Sequence, residues 1–145
     1  MRTVLALCGL MIGGSATAAA PELRAEVQPG HVVLAHVLVA FKGAMRSKAT
    51  RSAEEAYDLI RQLRDELEAG AKFDDLVKKW SDDSGPGPYS VVNDGIAGEQ
   101  GEIPRNSVVR AFGDVGFSLK VGKVGLAWYD SDASPYGFHL IKRVK

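Results

Sequence analysis

The sequence predicts an α+β fold of order β-α-α-β-α-β-β: a small, antiparallel-rich sheet with its terminal strands at the centre and helices flanking it. Three observations predict it. An aliphatic, β-branched run spans 31–39, two stretches of helical period follow at 53–69 and 73–80, and two strand-like runs, 124–129 and 138–144, come last. Strands at both ends of a unit with helices between them let the ends pair in the middle of one sheet.

Ahead of the first strand, residues 1–20 have the order of a secretory leader. Arg2 supplies a short positive start, Val4 to Gly14 an apolar run, and Ser15-Ala16-Thr17-Ala18-Ala19-Ala20 small residues of the A-x-A type. Cleavage is expected after Ala18 or Ala20. The apolar run is too short to span a bilayer, and a buried helix would need a polar face that it lacks. The single cysteine, Cys8, lies inside this leader. Acylation there, which would make a lipoprotein, is the alternative, with fewer apolar residues before the cysteine than an export signal normally has. Residues 21–30, polar and carrying Pro21 and Pro29, read as a flexible lead-in to one domain at 31–145.

The run His31-Val32-Val33-Leu34-Ala35-His36-Val37-Leu38-Val39 is a central strand, and two-residue alternation puts His36 on one face with Val32, Leu34 and Leu38. Residues 41–51, with Lys42, Arg46, Lys48 and Arg51 and no period, are a basic loop read as solvated. Ser52-Ala53-Glu54-Glu55 fits a capping box. The helix it opens aligns Ala56, Leu59, Ile60, Leu63 and Leu67 and stops at Gly70. A shorter helix aligns Phe73, Leu76, Val77 and Trp80, all read as core.

Turn-formers from Ser81 to Pro88 end the helical pattern, Tyr89 to Val92 is a brief strand, and Asn93-Asp94-Gly95 is a turn. Gly98 to Pro104 reads as loop. Asn106 or Ser107 is expected to cap a helix running through Val108, Val109 and Phe112. The last two strands are joined by 130–137.

Charge excludes some partners. Eighteen basic and eighteen acidic residues balance, so nothing recruits nucleic acid or an anionic membrane. No metal is expected from His31, His36 and His139, which lack ligand spacing, and Asp130-Ser131-Asp132 lacks the glycine and distal glutamate of a calcium loop. The Gly95, Gly98, Gly101 spacing is not a phosphate cradle, and no cofactor is expected. With Cys8 in the leader, the domain has no thiol for disulfides or covalent chemistry.

His36 and His139 remain. An imidazole in an apolar strand is costly to bury without a partner, so two of them suggest either a shared polar site or two unrelated histidines satisfied by backbone. Their setting carries a resemblance. His36-Val37-Leu38-Val39, then Glu54-Glu55-Ala56, Gly70, Phe73, Leu76 and Trp80 lead into Ser81-Asp82-Asp83-Ser84. Phe112-Gly113-Asp114, Phe117, Leu119, Gly122-Lys123-Val124 and Gly137-Phe138-His139-Leu140-Ile141 follow. This ordered set, from about Val33 to Val144, resembles the parvulin family of peptidyl-prolyl cis/trans isomerases.

The resemblance implies a parvulin-like fold and catalytic positions at His36, Asp83 and His139. It also implies a proline pocket with Phe112 as its aromatic wall, Val108 at a position usually methionine, and Tyr89 at one normally leucine. The sequence departs from the family where Pro86-Gly87-Pro88-Tyr89-Ser90 replaces a glycine-rich segment and where 93–101 and 130–136 are longer, with Ser134 and Tyr136 near a hydroxyl-bearing position. The function implied is isomerisation of X-Pro bonds in unfolded or loosely folded exported proteins, without covalent chemistry, the protein being periplasmic or secreted. The alternatives are a parvulin-shaped chaperone or peptide-binding module with little turnover, and a small metal-binding exported protein. Closure of 86–101 over the pocket would favour the binding module.

Overall fold

The computed structural model describes residues 27–85 and 87–145. The leader expected at 1–20, Cys8 and most of the lead-in lie outside the described residues. Of the lead-in, Gln28 and Pro29 are tied to the domain, accepting hydrogen bonds from Arg105 and from the Asn93 side chain.

The elements run β1 (His31–Val39), α1 (Ala53–Glu68), α2 (Phe73–Trp80), β2 (Tyr89–Val92), β3 (Ile103–Pro104), a 3-10 turn (Arg105–Ser107), α3 (Arg110–Ser118), β4 (Val124–Ala127) and β5 (Phe138–Arg143). The sheet order is β3-β2-β1-β5-β4, antiparallel except for β2 with β3. The first and last strands therefore pair at its centre.

Strand alternation divides the core in two. Val37, Val39 and Leu140 point to one face and pack on Ala56, Ile60 and Leu63 of α1 and on Phe73 and Leu76 of α2. Val32, Leu34 and Ile141 point to the other and pack on Phe112 and Phe117 of α3. The capping box forms fully: Ser52 Oγ accepts from the Glu55 amide and the Glu55 carboxylate accepts from the Ser52 amide. Two glycines set close approaches. A Cβ on Gly116 would run into the Leu34 side chain, and one on Gly137, at φ +142°, into the Val39 carbonyl oxygen.

Three expectations are corrected. The stretch read as loop contains β3, whose Ile103 and Pro104 lie parallel to Val91 and Val92; it is too short for a period and sits at an edge, where proline is tolerated. Asn106 and Ser107 do not cap α3 but lie in the 3-10 turn before it. The helix opens at Arg110 with no side-chain cap among the described residues, and the Ala111 amide donates to the Ala133 carbonyl of the β4–β5 loop, a partner far off in sequence. β4 stops at Ala127, two residues early, because Asp130 Oδ1 accepts from the Asp132 and Ala133 amides and turns the chain.

Candidate active site

The β1–β5 register decides where the histidines fall. His36 lies opposite Ile141 and Leu38 opposite His139, so His36 and His139 are diagonal neighbours on one face. Their ring centroids are 5.5 Å apart and nearly perpendicular, at 84°.

Asp83 reaches them through a strap. After α2 the chain runs along the end of β1: Ser81 Oγ accepts from the Leu38 amide, the Asp82 amide donates to the Leu38 carbonyl, and the Asp82 carboxylate accepts from the Ala40 amide. Arg51 bridges Asp82 and the Ala40 carbonyl. The next residue, Asp83, is thereby set over His36, whose Nε2 lies 2.9 Å from Asp83 Oδ2.

Charge states follow from the surroundings. Burial draws the pKa of His36 below its ordinary value, with the Asp83 carboxylate opposing. Partial burial pushes Asp83 up, but the Gly85 amide, His36 and the Tyr89 hydroxyl outweigh it and hold the carboxyl below its ordinary range. Neutral His36 thus donates from Nε2 to an ionised Asp83, leaving Nδ1 as an acceptor. His139, 4% exposed, is pushed down to about 3 by burial and by neighbouring His36, against the pull of Asp83, and is neutral. Among the described residues, His36 Nδ1 and both ring nitrogens of His139 have no hydrogen-bond partner. Buried polar atoms left unpaired are rare enough to require a reason.

The walls are apolar. Phe112 sets its ring against both imidazoles, 5.2 Å from His36 and 6.2 Å from His139, and Tyr89 stacks on His36 at 5.7 Å. With Val108 they enclose an open cleft of about 370 Å³ floored by His36, His139 and Asp83. All six residues singled out from the sequence converge there. The model family described as "PPIC-type PPIASE domain" matches residues 22–145.

The chain belongs to the parvulin-type peptidyl-prolyl cis/trans isomerases. It is similar to peptidyl-prolyl cis-trans isomerase Pin1 of Malus domestica, with 31% identity over 74% of this chain and 88% of that one. It is also similar to chaperone SurA of Pseudomonas fluorescens, 28% identical over 83% of this chain, and to foldase protein PrsA of Geobacillus sp., 31% identical over 56%. This parvulin spans only 23% and 25% of those two longer proteins. It is an isomerase of proline-containing polypeptides, and no described helix is long and apolar enough to cross a membrane.

Other residues line this parvulin's cleft that sequence reasoning missed. Arg46, assigned to a solvated loop, stands at the mouth with φ 53°, a left-handed conformation that no sequence signal announces for arginine. Leu38 lines it too; of the two hydroxyl residues noted from the resemblance, Tyr136 lines the cleft, whereas Ser134 is fully buried and donates its hydroxyl to the Gly137 carbonyl. Among the described residues, none of 93–101 lines the cleft, so the longer segment leaves it open; Pro86 lies outside the description.

Proposed function

We propose that this parvulin isomerises X-Pro bonds of unfolded or loosely folded exported proteins by a non-covalent mechanism run from the cleft between α3 and the centre of the sheet. The observation that carries the reading is the meeting of Asp83, His36 and His139 beneath the apolar wall of Phe112 in a cleft open to solvent.

The barrier to turning a peptide bond is about 18–20 kcal/mol, set by amide resonance. No bond has to be made. A site accelerates the turn by binding the twisted amide more tightly than either planar form, each 1.36 kcal/mol of difference giving about tenfold. Phe112, Val108 and Tyr89 hold the pyrrolidine ring and keep water from the amide. As the amide twists, its nitrogen gains lone-pair character and its carbonyl loses negative charge. A neutral, desolvated floor with one anchored carboxylate favours that change over the polarised planar amide. Covalent catalysis lacks a thiol in 21–145.

Export rests on the order of residues 1–20, a positive start, an apolar run and small residues, and a role in folding is in keeping with the names foldase and chaperone of two relatives. The test is a cis/trans assay on a short proline peptide with the intact protein, Asp83→Ala and Phe112→Ala, each checked for folding by circular dichroism. Both variants are expected to lose at least about tenfold in kcat/KM. Equal rates for all three would overturn the assignment of the site and favour a binding module. Sequencing the N-terminus of the exported protein is expected to begin after Ala18 or Ala20.

A further inference from the structure

We propose that Tyr89 is a positioning residue for isomerisation: beyond walling the proline pocket, its hydroxyl fixes Asp83 against His36. The inference rests on the role given to Asp83 above and concerns a position where the resemblance implies leucine, which could not do this.

The geometry is specific. Tyr89 Oη donates to Asp83 Oδ2 at 3.1 Å, the same oxygen that accepts from His36 Nε2 at 2.9 Å, while Asp83 Oδ1 takes the Gly85 amide at 2.9 Å. The Tyr89 ring stacks on His36 at 26° and meets Phe112 edge-on, so its hydroxyl is aimed by packing on both sides. Tyr89 starts β2, where Leu34 of β1 is its opposite partner, which fixes its backbone.

Asp83 needs such a brace because it stands between two spaces. On one side is the substrate cleft; on the other is a recess of about 410 Å³ reached by Asp74 and Lys78 of α2. A carboxylate held only by His36 and one loop amide could turn toward Lys78. The hydroxyl closes the third direction and leaves Asp83 facing the imidazole. The groups facing it are then His36 from β1, His139 from β5, Tyr89 from β2, Arg46 and Tyr136 at the cleft mouth, and Asp74 and Lys78 from α2.

The test is Tyr89→Phe, which keeps the ring, made alone and in an Asp83→Ala background, with kcat and KM on a proline peptide across pH. Alone it is expected to lower kcat about three- to tenfold, the worth of one hydrogen bond, with KM unchanged within twofold. The acid limb of kcat/KM should move to higher pH, because a donor to the ionised Asp83 is gone. In the Asp83→Ala background it should change nothing further. Full activity and an unmoved pH profile in Tyr89→Phe, with Asp83→Ala impaired, would overturn the inference alone. An equal loss in both backgrounds would also overturn it, showing that Tyr89 acts without Asp83. Full activity of Asp83→Ala would overturn the underlying reading of the site.

Discussion

His139→Leu is expected to make the protein more stable and a worse enzyme, and the two effects are separable by pH. In the wild type both ring nitrogens of His139 are buried without a partner among the described residues, and such a group costs about 1–3 kcal/mol. Leucine has a similar volume and no polar atom, so stability at pH 7 should rise by about 1 kcal/mol. The pH dependence is larger. The pKa of His139 is about 3 in the folded protein against an ordinary 6.5, so between those values the unfolded chain binds a proton that the folded one does not. The penalty for excluding that proton is therefore absent above pH 6.5, where stability is at its fullest, and grows as pH falls, by about 1.4 kcal/mol per unit. At pH 5 the wild type has lost about 2 kcal/mol by this route and the variant nothing. His36 and Asp83 remain in both proteins, so the difference isolates His139. Urea denaturation at pH 7 and pH 5 should show a gap widening from about 1 to about 3 kcal/mol, while kcat/KM falls, as expected where a site is maintained at the expense of stability. A gap that stays constant with pH, or a variant less stable at both, would refute the reasoning.

Other outcomes follow from single contacts. Ser52→Ala removes the α1 capping box and should cost about 1 kcal/mol by thermal or urea unfolding, with kcat/KM unchanged. Gly116→Ala drives a methyl group into Leu34 between α3 and β1 and should cost about 1–3 kcal/mol in the same measurement. Arg51→Met unties Asp82 from the Ala40 carbonyl and loosens the strap that carries Asp83; its exposed ion pair predicts a stability loss of no more than about 1 kcal/mol, yet kcat/KM on a proline peptide should fall.

What was legible in the sequence was what local chemistry dictates. Nine residues of strand alternation gave β1 and the face on which His36 lies; Ser52 with Glu55 gave the start of α1; the helical spacing of Phe73, Leu76, Val77 and Trp80 gave the presence of α2. The convergence of His36, Asp83 and His139 was legible only through resemblance, since alternation alone does not say which strands pair. What stayed hidden depended on distant partners. The start of α3 is set by a carbonyl from Ala133, β3 exists because two residues find β2, and Arg46 reaches the cleft through a backbone conformation that composition does not reveal. The Tyr89–Asp83 bond was likewise invisible, because tyrosine at the head of a strand reads as packing until a carboxylate is seen opposite its hydroxyl.

The pairing of the first strand with the last has a bearing on when activity first exists. Roughly a hundred residues separate the two imidazoles along the chain, so their meeting carries the largest loop-closure cost in the domain and depends on the most non-local contact in its sheet. Helices α1 and α2 can gain structure early, but during synthesis neither the floor of the cleft nor its far wall can assemble before the strand bearing His139 has emerged. On the reading of the site proposed above, turnover is then an all-or-none report on the finished fold: a protein that helps others complete their folding would be silent until it had completed its own.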